Sequence, residues 1–352
     1  MLSRVKIQNF KSIGEPGVDL ELKPLTFLVG PNGGGKSSIL EGIGITVQRA
    51  DGSQLTNFPA NYDIMPEGEG LQSLTEMHYS DVGSSGQHLG AKYDLRGETM
   101  EPLEGPGSPP QSEFTLTKCR ALWSDHQAQT FLLSSERGAV RYDTDTRGQP
   151  AWVGRQGEDL LPVLAYVFGP NGDEEAAARI TKWADRFSLR SLTPGLSGRE
   201  RIGAAYHDSE LDVRPNLALA SSGSRQILAV ITQLFHAPTQ SLLMIEEPEI
   251  SLHPKAQIDV LEMFAEAIKG DKQIIATTHS LFMMQGIGYA VHKGWLKPDQ
   301  VAVYHVEKKK GTGTTSKRLP LSAKGYIKGW VPSFAKVEGQ LLREWTKNLP
   351  EE

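Results

Sequence analysis

Residues 30–37 read GPNGGGKS, which places Gly30, Gly35, Lys36 and Ser37 at the fixed points of GxxxxGK[S/T]. A glycine-rich turn of this spacing lets successive backbone N–H groups converge on an anion, and a following helix adds its N-terminal dipole. Lys36 brings a point charge to the outer phosphates, and the Ser37 hydroxyl can ligate Mg²⁺. The candidate nucleotide-binding run is therefore Gly30, Pro31, Asn32, Gly33, Gly34, Gly35, Lys36, Ser37 and Ser38.

Three further segments carry groups that suit phosphate chemistry. Leu242–Glu249, LLMIEEPE, is an apolar run ending in adjacent carboxylates. Consecutive residues point in different directions, so of Glu246 and Glu247 one can hold hydrated Mg²⁺ beside Ser37. The other can orient or deprotonate an attacking water. Gln273–Ser280, QIIATTHS, is a second apolar run with polar residues at its end. His279 there can hydrogen-bond a γ-phosphate or the water; the alternative is a His/Ser helix cap. Ala220–Ser224, ASSGS, precedes an apolar helical stretch, and its free N–H groups make a second anion site. One triphosphate rarely needs two helix N-termini from one chain. Two such ends make sense if they come from different subunits.

These groups need strands and helices to aim them. Leu25–Val29 reads as a buried parallel strand and the stretch from Ser37 as a helix with Ile39, Ile43 and Val47 on one face. Val5–Phe10 and Val18–Leu22 alternate like a strand pair. Between 71 and 142, QSLTEMHYS, HLGAKYDLR, EFTLTKCRALW and QTFLLSS read as an antiparallel meander, with ETMEPLEGPGSPPQ as a loop. Leu160–Val167 and Glu174–Phe187 have helical spacing, and Ala204–Val213 is strand-like. Helix at Ser222–Phe235, strand at Leu242–Ile245, helix at Lys255–Ile268 and strand at Gln273–Thr277 follow. That alternation predicts an α/β fold with parallel strands. A hairpin and a terminal amphipathic helix are expected over 300–348.

Composition narrows the class. The chain has 352 residues, 38% of them hydrophobic and 22% charged, as a folded globular protein does. Its one cysteine, Cys119, excludes an intrachain disulfide framework and suits a reducing cytoplasm. No apolar run reaches membrane-spanning length and no secretion signal opens the chain. Residues 61–115 hold ten Asp/Glu against two Lys/Arg, whereas 291–328 hold nine Lys/Arg against two Asp/Glu. The basic stretch, with Lys308, Lys309, Lys310, Lys317 and Arg318, is either a solvated hairpin or a contact for nucleic acid or an acidic partner.

GPNGGGKSS, ASSGSRQIL, LLMIEEPEISLHP and TTHS, in that order, resemble ABC-type ATPases. The opening VKIQNFKSIGEPGVDLELKPLTFLVGPNGGGKSSILE is most similar to their SMC/RecF/OLD-like branch. FLLSSERG, VGRQGEDLLPVLA and GYIKGWVPSF are similar to standalone members of unclear role. The resemblance implies a P-loop NTPase fold of the ABC head type, with a mostly parallel central sheet, an antiparallel β-meander and a small helical lobe. One head over 1–352 is expected, with 1–60 and 217–352 as the nucleotide core and 61–216 inserted. Carried over, Ser37 and Glu246 would serve Mg²⁺, Glu247 would be the catalytic carboxylate and His279 the switch histidine. Ser221 and Gly223 would reach across to the other subunit's γ-phosphate, and Ser251–Pro254 would be the dimer-contact loop.

The pattern departs from the family where Glu246 replaces the usual Asp, and where Ser222 and Ser224 replace the signature's first Gly and its polar Gln or Glu. Gln72, Gln156 and FLLSSER compete for the lobe-linking glutamine. Since no compact acidic cluster follows His279, no nuclease activity is expected of this chain. The implied function is an ATP- and Mg²⁺-dependent ATPase that dimerises around two ATP and regulates an effector, such as a nuclease or toxin in anti-phage defence. The alternative is a RecF-like DNA-binding ATPase.

Overall fold

The computed structural model describes residues 1–50, 74–82, 87–94, 99–103, 130–138, 140–145, 150, 152–196, 201–328, 331 and 340. Its centre is a six-stranded sheet in the order β14-β13-β3-β12-β11-β7. The strands are β3 (Leu25–Val29), β7 (Thr130–Leu133), β11 (Leu242–Glu246), β12 (Gln273–Thr278), β13 (Val301–Lys309) and β14 (Gly313–Leu319). All neighbours are parallel except the β13–β14 hairpin.

The core strands are buried on both faces, and alternate side chains feed two cores. Phe27, Leu243, Ile245 and Ile274 pack on one face against α4 (Ser222–His236), α5 (Pro254–Lys269) and α6 (Leu281–His292). Leu28, Met244 and Ile275 face α1 (Lys36–Ala50), through Ile39, Leu40 and Ile43, and a second sheet. That sheet is antiparallel, in the order β2-β1-β4-β5-β6. Its strands are β1 (Leu2–Gln8), β2 (Val18–Glu21), β4 (Leu74–Val82), β5 (Gln87–Asp94) and β6 (Thr99–Pro102).

A smaller lobe combines α2 (Leu160–Val167), α3 (Glu174–Arg186) and a sheet in the order β8-β10-β9. Its strands are β8 (Thr144–Asp145), β9 (Arg190–Leu196) and β10 (Arg201–His207). Asp173 caps α3 by accepting from the Ala176 N–H at 3.0 Å. The fully buried Trp183 of α3 donates its indole N–H to Glu266 of α5 at 3.1 Å, which ties the lobe to the core. Among the described residues, no helix is long and apolar enough to cross a membrane.

The α/β class, the parallel core, the antiparallel sheet and the helical lobe agree with the sequence reading. Four details differ. QTFLLSS is not a meander strand: Thr130–Leu133 is β7, parallel to β11 with Leu242 opposite Thr130. A short apolar run states burial but not its partner, and here the partner lies over 100 residues away. Within the expected loop, Thr99–Pro102 forms β6 against β5. The strand expected to run to Val213 stops at His207, because Asp208 turns back and its N–H bonds the Val213 carbonyl at 2.9 Å. Helix α6, starting two residues after His279, was indicated only by the alternative of a His/Ser helix cap. EFTLTKCRALW and the expected terminal helix lie essentially outside the described residues.

Candidate nucleotide site

Strand β3 delivers the chain to Gly30 and α1 begins at Lys36, so the glycine-rich loop spans the strand end and a helix N-terminus. Gly35 has φ +100°, and a Cβ there would sit 2.0 Å from Thr314 Oγ1 of β14. Only glycine fits that approach. The Ser12 hydroxyl braces the same corner, 2.8 Å from Thr314 Oγ1 and 3.1 Å from Ser38 Oγ. Behind the loop, Arg155 of the smaller lobe reaches Glu41 of α1 at 2.9 Å, and Lys11 bonds the other oxygen of that carboxylate.

The loop borders a cleft of about 320 Å³ lined by Asn32–Ser38 together with Ser12, Ser135, Glu246, Glu247, Thr277 and His279. Lys36, nearly buried, donates to the Gly30 and Pro31 carbonyls at 3.1 and 3.0 Å. Burial pushes its ammonium below the ordinary value, against the pull of Glu247, Glu246 and Glu249. A desolvated ammonium whose partners among the described residues are neutral carbonyls suits a polyanion.

Glu246 closes β11, and its carboxylate accepts from the Ser135 N–H at 3.3 Å. Glu247 follows in a left-handed conformation, φ 43°, with its N–H bonded to the Thr277 carbonyl at 3.1 Å. That turn swings its carboxylate to 3.5 Å from His279 Nε2. Burial first, and Lys36 second, push the His279 imidazole below its ordinary value, with Glu247 opposing. The imidazole is therefore neutral at pH 7. Helix capping falls to its neighbour: Ser280 Oγ accepts from the Met283 N–H at 3.1 Å.

The glycine-rich loop, Glu246, Glu247 and His279 thus meet in one cleft. Ser221 and Gly223 do not line it. Ser221 caps α4, accepting from the Ser224 N–H at 3.1 Å, and borders a separate polar cavity with Arg190 and His207. Gly223 is buried in the first turn of α4.

Several contributors escaped the sequence reading. Glu249, nearly buried, accepts from the Thr278 hydroxyl and from the His279 N–H at 3.2 Å. Burial pushes its carboxyl up, and Glu249 Oε2 has no partner among the described residues. Of the candidates for the lobe-linking position, FLLSSER supplies the cleft residue, Ser135, and Gln156 stays outside the cleft; Gln72 lies outside the described residues. Arg137, in the same stretch, is buried against the carbonyls of Glu246 and Glu247. The run EEPE and the segment SSERG were the available signals, but neither reveals a tertiary contact.

The donor set fits nucleotide and a hard cation. Gly35 keeps the loop packed against Thr314, and Ser37 and Glu246 line the cleft with oxygen ligands of the kind Mg²⁺ takes beside phosphate. Among the described residues, no group of three or more His, Cys, Asp or Glu is placed to hold a metal alone.

A glycine-rich loop between a parallel strand and a helix, with strand-end carboxylates beside it, defines a P-loop nucleotide-binding fold. Solved SMC heads share the fold. The SMC head domain from Thermotoga maritima matches with TM-score 0.51 and 16% identity, over 91% of this chain and 99% of that one. An SmcHead bound to the C-winged helix domain of ScpA matches with TM-score 0.57 and 14% identity, over 91% and 98%. The chain belongs to the family described as "AAA domain, putative AbiEii toxin, Type IV TA system", which it matches over residues 25–284. It is similar to the OLD nuclease of Thermus scotoductus, at 25% identity over 80% of this chain and 59% of that protein. It is also similar to the Septu protein PtuA of Bacillus mycoides, at 23% identity over 81% and 39%. The chain thus spans about three-fifths and two-fifths of the lengths of these relatives.

Proposed function

We propose that this chain binds and hydrolyses ATP as one half of a head-to-tail dimer, with two ATP molecules between the glycine-rich loop of one copy and α4 of the other. The observation that carries this reading is a split. Glu247 and His279 sit with the loop in one cleft, while the exposed Ser221 heads a second helix N-terminus outside it, with Gly223 in its first turn. A second copy would complete each site.

In the proposed reaction the loop N–H groups and Lys36 hold the β- and γ-phosphates, with Lys36 leaving the Gly30 and Pro31 carbonyls. Mg²⁺, held by Ser37 and Glu246, would neutralise phosphate charge. Glu247 takes a proton from a water whose oxygen attacks the γ-phosphorus. The bond to the β-phosphate oxygen breaks, leaving ADP and inorganic phosphate. Neutral His279 bonds the water or a γ-phosphate oxygen and so fixes the angle of attack. Hydrolysis removes the shared ligand and opens the dimer.

The opening and closing would govern a cytoplasmic effector, of nuclease or toxin type, in anti-phage defence. The family description mentions a toxin and one relative is called a nuclease, which supports that class of partner. The test is multiple-turnover hydrolysis with size-exclusion chromatography. Glu247→Gln should abolish turnover and trap a dimer only when ATP and Mg²⁺ are present; a monomer under those conditions overturns the sandwich.

A second reading rests on the exposed tip of the β13–β14 hairpin, where Lys308, Lys309 and Lys310 lie together. There the ATPase would bind DNA in repair or maintenance. It requires DNA affinity that falls steeply with salt and with charge removal at those lysines.

A further inference from the structure

Arg137 is 2% exposed, and among the described residues every hydrogen bond of its guanidinium goes to a backbone carbonyl. Nη1 donates to Ser134 O at 2.8 Å and to Glu246 O, and Nη2 donates to Glu247 O at 2.7 Å. Nε donates to Gln226 O of α4 at 3.3 Å. Among the described residues, no carboxylate lies within ion-pair distance of it. Burial pushes the guanidinium down to about 10, while Glu249, Glu246 and Glu247 pull it up, so it stays charged at neutral pH.

Burying a charge without an ion pair is costly, so the geometry calls for an explanation beyond packing. Three segments meet at this one side chain: the loop after β7, the carbonyl end of β11, and α4. Its bond to Glu247 O holds the far side of a residue already in a left-handed conformation. Next to it Gly138, φ +105°, lies so close to α4 that a Cβ would sit 2.6 Å from Gln226 Cγ and 3.3 Å from Gln226 Cα. The loop therefore rests directly on the second turn of the helix that begins at Ser222, just after Ser221. A planar fork with a separate Nε–H can hold all three segments at once; an ammonium cannot.

We propose that Arg137 is a positioning residue that fastens Glu247 to the first turns of α4, so that the carboxylate and the Ser221–Gly223 helix end move as one body. The inference rests on the sandwich reading above. Closing α4 on the partner's nucleotide would then set Glu247 in its own cleft, and a misplaced Glu247 would withhold α4.

The test compares wild type, Arg137→Lys and Arg137→Gln in the full chain. Steady-state hydrolysis, ATP affinity by calorimetry and melting temperature are measured for each, and Arg137→Lys is also made in the Glu247→Gln background for chromatography. Expected for Arg137→Lys is a kcat lowered at least 30-fold, with KM and ATP affinity within threefold of wild type. The double variant should bind ATP yet stay monomeric where Glu247→Gln alone dimerises. A kcat within threefold of wild type overturns the inference, as does a loss of ATP affinity that matches the loss of kcat. If Arg137→Lys shows no cooperative melting, Gly138→Ala replaces it and the same criteria decide. Wild type that neither turns over ATP nor dimerises as Glu247→Gln overturns the functional reading, and the inference with it. Turnover in wild type with an unaffected Arg137→Lys overturns the inference alone.

Discussion

Glu247 Oε1 stands 3.5 Å from His279 Nε2, with the imidazole carried by the chain leaving β12 and the carboxylate by the chain leaving β11. The two strands are parallel neighbours, with Glu246 opposite Thr277, so both chains leave the sheet on the same edge. The contact is thus set by sheet register and by the left-handed turn at Glu247, whose N–H is anchored on Thr277.

Neutral His279 gives a pH signature. Its folded pKa lies below the ordinary 6.5, so the unfolded chain binds the proton first. Stability from this residue is present above pH 6.5 and is lost as pH falls through the folded value. Turnover should be level between about pH 7 and pH 8 and decline only below 6.5. In His279→Gln, kcat should fall about 100-fold and that acidic limb should weaken. A limb centred above pH 7 in wild type would count against a neutral imidazole.

Glu249 works in the opposite sense. Its folded pKa is raised above 4.5, so its contribution is fully present below 4.5 and is lost as pH rises through the folded value. Glu249→Gln keeps an oxygen for the Thr278 hydroxyl and the His279 N–H without a buried charge. It should melt about 2 °C above wild type at neutral pH, corresponding to roughly 1 kcal/mol, and the gap should close near pH 4. A variant that melts lower at neutral pH would show that the second carboxylate oxygen has an ionic role.

Gly35→Ala should fail on both counts the loop serves. A methyl group aimed at Thr314 Oγ1 from φ +100° must push the hairpin away, at a cost of about 2 kcal/mol. Melting should drop by several degrees and ATP binding should be lost, as calorimetry would record. Retained affinity would mean that the loop can reshape around the methyl group.

Lys36→Ala separates charge from scaffold. Among the described residues the ammonium hydrogen-bonds only loop carbonyls, so the melting temperature should stay within about 2 °C, whereas ATP affinity should fall at least 30-fold, about 2 kcal/mol. Affinity within threefold of wild type would remove Lys36 from the proposed phosphate contacts.

The strand, loop and helix over 25–47 were readable because the motif is continuous: each residue's neighbours in the chain are its neighbours in space. The same holds for Leu242–Glu247 and Gln273–His279, where apolar runs end in polar residues at a strand end. Arg137 could not be read this way. Nothing local distinguishes it from the exposed Glu136 beside it, and three of its four acceptors are carbonyls 89 to 110 residues along the chain. Glu249 is illegible for a similar reason, since its partners Thr278 and His279 sit at and just beyond the end of a different strand.

Residue type and short spacing were enough to specify the chemistry on offer: an anion-binding turn, a cation, two carboxylates and an imidazole. Assembly was enough to say which of them share a cleft. β7 joined the parallel sheet and not the meander, and that brought Ser135 to Glu246 and seated Arg137 between β11 and α4. The physical reason is that local propensity and periodicity act over a few residues. Strand partners and buried charges are chosen by desolvation and hydrogen bonding across long loops, and those energies exist only once distant segments meet.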